Sequence, residues 1–293
     1  MKYEKWIRKN TVSLKGKTVA VSGSTGGLGG ALCEHLGALG ADLLLLNRNA
    51  ARSEAQKKEL EEKYRINVRH VELDLENKYS VVEVALRLEN EKFDVLIHNA
   101  GAYSIPRKIC DNGYDNVFTI NFVSPYLLTR KLLPTLKKNG TKVAIVGSIA
   151  HNYSKIDEND VDFTSRKQAS KVYGNAKRYL MTALPALLAE EGVKFAVTHP
   201  GITFTNITAH YPKLIFALIK HPMKIIFMSP AKAALTTLCG VFENTDENEW
   251  IGPRTFNIWG LPTKRKINTI TKKEKEKIIQ ISEEIYKKST QGE

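Results

Sequence analysis

Residues 17–29 read Lys-Thr-Val-Ala-Val-Ser-Gly-Ser-Thr-Gly-Gly-Leu-Gly, and the fold turns on them. Residues 17–22 suit a short buried strand. The glycine-rich turn that follows, with Gly23, Ser24, Thr25, Gly27, Leu28 and Gly29, runs into a helix predicted over 28–39. Glycines permit a tight turn and a close backbone approach to a pyrophosphate. The helix N-terminus behind them supplies amide donors and positive potential. Such an octapeptide alone also fits a flexible turn; its place after the first strand of an α/β pattern points to a nucleotide.

That pattern continues outward. Strands are predicted at 41–46, 68–73, 93–98, 142–147 and 193–198, and helices at 54–64, 79–89, 114–136, 167–190 and 271–288. The leucine run at 41–46 suits a strand covered on both faces. Pro125 and Pro185 are expected to adjust their helices. Strand–helix alternation implies right-handed crossovers and a single-domain, Rossmann-type, doubly wound parallel sheet with helices on both faces, spanning 1–293. Ligands of such sheets bind beyond the carboxyl ends of the strands. Asn99, Ala100, Gly101, Ser148, Pro200 and Gly201 all fall there.

The second strand ends at Asn47-Arg48. An acidic residue there would bind the ribose 2′-hydroxyl of NAD. Arg48 instead suits a 2′-phosphate, so NADP(H) is favoured over NAD(H). An ordinary solvated arginine at a strand end is the bland reading. In Val-Tyr-Gly-Asn-Ala-Lys, Tyr173 and Lys177 leave one helix face a turn apart. A cation beside a phenol favours phenolate and lowers its pKa from about 10 toward the working range. Alone, the pair reads far more readily as a solvated helix face.

Taken together, Gly23-x-x-x-Gly27-x-Gly29, Asp74-Leu75, Asn99-Ala100-Gly101, Asn121, Ser148, Tyr173-x-x-x-Lys177 and Pro200-Gly201 resemble the short-chain dehydrogenase/reductase family over nearly the full length. The wide Ser148–Tyr173 separation, Ser-Ile-Ala-His at 148–151 and the C-terminal Ile-Gly-Pro…Trp-Gly-Leu-Pro are similar to its retinol-dehydrogenase-like branch. The resemblance implies a catalytic set of Asn121, Ser148, Tyr173 and Lys177. Asp74 and Leu75 would flank the adenine, and Asn99, Ala100 and Gly101 would line the cofactor. Thr205 would touch the nicotinamide carboxamide, with Thr203 beside it. His98, Gly147 and Asn175-Ala176 depart from the family pattern without removing a proton-transfer group.

The reaction implied is hydride transfer between a nicotinamide and a carbonyl or carbinol carbon. Tyr173 acts as acid/base, Lys177 tunes it and holds the ribose, Ser148 holds the substrate oxygen, and Asn121 positions a relay water. A catalytically idle nucleotide sensor or scaffold on the same fold, and a reductase of small ketones, remain as alternatives. A sugar-nucleotide epimerase would need a larger C-terminal domain.

The apolar-rich segment 211–228, within a lid expected over 206–229, favours a lipophilic steroid-, retinoid- or similar ketone or aldehyde. Its lysines, Lys213, Lys220 and Lys224, also suit a peripheral membrane contact. Core or oligomer packing is the competing reading, and a homo-oligomer stays open. Residues 261–293 read as a C-terminal extension. The net charge of +13 comes from lysines dispersed among acids, which argues against nucleic acid. Cys33, Cys110 and Cys239 show no disulfide or zinc spacing, and His151, His199 and His210 lack ligand logic, so no metal is expected. No secretory signal or spanning segment is read, which predicts a cytoplasmic protein.

Overall fold

The computed structural model describes residues 2–202 and 228–290. Eight strands form one sheet: β1 Thr18–Ser22, β2 Asp42–Asn47, β3 Val68–Glu72, β4 Val95–His98, β5 Lys142–Val146, β6 Phe195–Thr198, β7 Glu249–Thr255 and β8 Trp259–Lys266. Their spatial order is β3-β2-β1-β4-β5-β6-β7-β8. The first seven run parallel, and β8 pairs antiparallel with β7. The parallel sheet expected from the sequence is thus mixed at one edge.

Leu43 to Leu46 of β2 are all buried, as a strand with helices on both faces requires. One face carries α4 (Lys78–Leu88), α6 (Ser124–Asn139) and α7 (Ala169–Glu190), with α9 (Lys272–Thr290) packed on α7 and α6. The other carries α2 (Gly27–Ala38), α3 (Ala50–Tyr64) and α8 (Pro230–Phe242), with α1 (Lys2–Asn10) against α8.

Side-chain caps fix several helix starts. Asn49 accepts from the Arg52 amide at α3, and Asn77 from the Tyr79 and Ser80 amides at α4. The α3 cap moves that helix's start four residues ahead of the expected Glu54. Helices α1 and α8, and strands β7 and β8 inside or beside the expected C-terminal extension, lie outside the elements expected from the sequence.

The single helix expected over 114–136 is also divided. A short α5 (Asn116–Phe118), capped by Asp115, passes into a π-helical turn, Thr119–Val123, before α6 begins. Pro125 sits in the first turn of α6, where its missing N–H costs least. The π turn carries Asn121, and such bulges are frequent at functional sites.

Candidate active site

The turn after β1 is packed too closely at Gly23 and Gly29 to admit a side chain there. Gly23 has φ +67°, and a Cβ there would lie 2.8 Å from the Ala100 Cα. A Cβ on Gly29 would fall 2.2 Å from the Gly23 carbonyl oxygen and 2.8 Å from the Asn99 amide nitrogen. Asn99 Nδ2 donates to the Ser22 and Gly23 carbonyls at 2.9 and 3.1 Å, tying the turn to the end of β4. Helix α2 starts at Gly27 from Gly26 with no side-chain cap. Its first amides therefore face the bare turn, where an anion would satisfy them. Thr25 and Leu28 are half-buried and Gly27 is exposed. Ser24 is turned inward: its hydroxyl donates to Gln56 Oε1 at 2.7 Å and accepts from Asn47 Nδ2 at 2.7 Å.

Asn47 is buried, and its amide also donates to Ser53 Oγ at 3.0 Å. Beside it Arg48 is exposed, with Nη1 3.8 Å from Asp74 Oδ1 and 3.6 Å from Glu76 Oε1. The Asp74 amide donates to Ser80 Oγ at 3.0 Å, and the buried Leu75 gives its carbonyl to Ser124 Oγ at 2.6 Å. These bonds hold the 74–75 turn against α4 and α6.

Beyond the carboxyl ends of β4 and β5, the four expected catalytic side chains converge. Tyr173 and Lys177 lie on α7, and the Ser148 side chain is near enough to the Tyr173 phenol to favour its ionised form. Ser148 also accepts from the Ala150 amide at 3.2 Å, capping the short 3₁₀ turn Ile149–Asn152. Lys177 Nζ donates to the Val146 carbonyl at 2.9 Å. Asn121 spends its amide protons on the Ala102 and Val117 carbonyls, both at 2.8 Å, and its buried Oδ1 has no partner. A Cβ on Gly101 would lie 2.7 Å from that Oδ1 and 3.5 Å from Lys177 Nζ. Both polar atoms thus approach the Gly101 backbone closely, which leaves no room for a side chain there. Tyr103 lies edge-on to Tyr173 at 5.4 Å.

Burial governs the ionisation of the pair. It pushes the Tyr173 phenol up to about 12, against a lowering by Ser148, and Lys177 down to about 7. The lowering of Tyr173 expected from its lysine is not found: only Ser148 opposes the burial. The phenol is held protonated, the state a proton donor requires.

The departures from the family pattern have local causes. A Cβ on Gly147 would meet Met181 Sδ at 2.5 Å, so a larger residue ahead of Ser148 would have to displace the Met181 side chain. His98 is buried, bonded to Thr129 Oγ1 at 2.7 Å, and pushed by burial to about 3. Asn175 donates to the Val161 carbonyl at 2.8 Å.

His151 and His199 serve packing. They bond the Ser148 and Asn257 carbonyls at 2.7 and 3.0 Å and flank Trp250. Gly201 has φ +78°, and a Cβ there would strike the Ile258 carbonyl oxygen at 2.5 Å, so the Pro200-Gly201 turn is tightly seated. Thr203, Thr205, His210 and the lid segment up to residue 227 lie outside the described residues. Among the described residues no helix is long and apolar enough to cross a membrane, and no three His, Cys, Asp or Glu side chains group to hold a metal.

One supporting network has almost no sequence signal. Arg178, 2% exposed, makes a bidentate pair with Glu274 of α9 at 2.7 and 2.6 Å. It also donates to the His151 and Thr269 carbonyls at 2.8 and 2.7 Å. His151 in turn bonds the Ser148 carbonyl, so α9 braces the turn that presents Ser148. Only an arginine inside an apolar helix hinted at this.

A nicotinamide dinucleotide fits these residues: a tight turn whose Gly23 and Gly29 admit no side chain, an uncapped helix start, and the unpartnered Oδ1 atoms of Asn99 and Asn121. The family model for short chain dehydrogenases matches residues 17–213, more than half the chain.

The chain belongs to the short-chain dehydrogenase family.

Retinol dehydrogenase 13 of Homo sapiens is 30% identical to this short-chain dehydrogenase over 208 residues, 68% of this chain and 62% of the relative. The crystal structure of an uncharacterized protein from Mycobacterium paratuberculosis superposes with a TM-score of 0.74 at 23% identity, covering 95% of this chain and 96% of that one. A short-chain dehydrogenase from Sphingobium yanoikuyae in complex with NADPH gives 0.59 at 22% identity, covering 76% and 83%. At these identities the structures show the shared fold. The chain's reaction class is the family's, NAD(P)-dependent oxidoreduction between CH–OH and C=O.

Proposed function

We propose that this short-chain dehydrogenase is an NADP(H)-dependent oxidoreductase that interconverts a carbonyl and an alcohol on a lipophilic substrate. The observation that carries the reading is that Tyr173 lies beside Ser148 and one helical turn from Lys177, whose Nζ and Asn121 Oδ1 both approach Gly101. The cofactor, when bound, supplies or accepts a hydride. In reduction, Tyr173 gives its proton to the developing alkoxide while Ser148 holds that oxygen in place. Lys177 would hydrogen-bond the nicotinamide ribose and, beside Asn121 Oδ1, return a proton from solvent to the Tyr173 phenolate. Asn121 holds the relay water there.

Arg48 favours the 2′-phosphate, and the inward-turned Asn47 offers no carboxylate to a ribose hydroxyl. Sequence alone supports the lipophilic substrate, through the apolar segment 211–228.

Oxidation of NADPH and of NADH against steroid, retinoid, quinone and small ketone panels tests the reading. Turnover of bulky apolar carbonyls with NADPH ahead of NADH is expected. Cofactor binding without turnover on any panel would overturn the enzymatic reading, and faster turnover with NADH would overturn the cofactor assignment.

A further inference from the structure

We infer that Glu76 is a built-in competitor for the cofactor's 2′-phosphate, and that it sets how strongly Arg48 discriminates NADP(H) from NAD(H). The inference rests on the NADP(H) reading above. Two cations from different parts of the chain converge on this one carboxylate. Arg48, at the end of β2, places Nη1 3.6 Å from Glu76 Oε1. Lys108, from the segment after β4, pairs through Nζ with Glu76 Oε2. The Glu76 side chain is only 13% exposed, whereas Arg48 and Lys108 are 64% and 60% exposed. The acid is therefore the fixed centre and the cations are the outer, adjustable partners.

The anchoring is asymmetric as well. The Glu76 amide donates to Asp74 Oδ1 at 3.0 Å, which fixes the turn carrying both acids. The Lys108 backbone is held by Asn116, whose backbone N–H donates to the Lys108 carbonyl at 2.9 Å. Its side chain is left to follow an anion. Arg48 stands 3.6–3.8 Å from its two acids, too far for the 2.7–2.9 Å bidentate bonds a guanidinium makes with a committed partner. Its donors remain open. Two cations and two carboxylates balance here, so the pocket edge carries no net pull on a phosphate until Glu76 yields. A phosphate monoester carries more charge and more acceptor oxygens than a carboxylate. Set between Arg48 and Lys108, it takes both cations and pays for the repulsion of Glu76. NAD(H), lacking that group, leaves the cluster as it is.

Dissociation constants of NADPH, NADH, 2′,5′-ADP and 5′-AMP, titrated calorimetrically on the whole chain, test this. Glu76→Gln keeps the side-chain shape and removes the charge. It is expected to tighten NADPH and 2′,5′-ADP by roughly three- to thirtyfold, the scale of one charge pair a few ångströms apart near a surface. NADH and 5′-AMP should stay within about twofold. Lys108→Gln should weaken only the 2′-phosphorylated ligands, and tests the same cluster without touching Glu76. Unchanged or weaker NADPH binding in Glu76→Gln, or equal tightening of both cofactors, overturns the inference. If Arg48→Gln lowers the NADPH preference while Glu76→Gln does not raise it, the competitor fails and the NADP(H) reading stands. If Arg48→Gln leaves the preference unaltered, the NADP(H) reading fails with it.

Discussion

At Tyr173 and Lys177, desolvation acts on an acid and a base in opposite directions. The phenol is pushed up to about 12 and the lysine down from its ordinary 10.5 to about 7. A lysine depressed in the folded state binds fewer protons there than in the unfolded chain. Between about 7 and 10.5 folding therefore gains stability as pH rises. Lys177→Met removes that dependence. Its stability relative to the parent, measured by denaturant melts, should be highest near pH 7 and fall steadily toward pH 10.5; a flat difference would contradict the buried, depressed lysine. Gly147 gives a second residue-scale expectation. Gly147→Ala drives a methyl into Met181 and should cost about 1–3 kcal/mol, the usual range for overpacking. Gly147→Ala combined with Met181→Ala should recover part of that loss in the same melts. The glycine turn, Asn99, Ser148, Tyr173 and Lys177 were legible because each is a residue type tied to a fixed place after a strand or on a helix. The sign of the Tyr173 shift was not legible, because sequence shows a neighbouring cation but not how much water has been removed.

At the scale of elements, the C-terminal helix α9 acts on the site through one ion pair. Arg178 and Glu274 are both nearly enclosed, and Arg178 also bonds the turn that follows Ser148. Removing one partner strands the other charge. Glu274→Gln or Arg178→Met should cost about 3–5 kcal/mol of stability by denaturant melts, with kcat falling more than cofactor affinity. A loss below about 1 kcal/mol would mean that the pair is not the brace described. The central strands were easy to read because buried parallel strands are short apolar runs. Strands β7 and β8 were not: Gly252, Pro253, Gly260 and Pro262 break the apolar pattern. Pro253 and Pro262 are paired across the hairpin, and β7 meets β6 only at Thr198–Ile251, so neither ring blocks the parallel ladder. The π turn at Thr119–Val123 was likewise hidden in an ordinary helical pattern, with Pro125 its only marker.

In the whole molecule, the sheet order brings residues from five separate strand ends to one edge. Strands β1 and β4 are neighbours although β2 and β3 lie between them in sequence, and this reversal opens the crevice in which doubly wound sheets bind nucleotides. The glycine turn after β1, Arg48 after β2, Asp74 after β3, Gly101 after β4 and Ser148 after β5 all border it. Tyr173 is the point at which the cofactor cradle and the proton path meet. The most direct measurement pairs kcat with NADPH affinity in Tyr173→Phe, using whichever carbonyl the parent chain reduces. Loss of the donor hydroxyl should lower kcat by about 10²–10⁴-fold while the NADPH dissociation constant stays within about twofold, because the cradle lies at the other strand ends. Turnover undiminished in Tyr173→Phe would contradict the account.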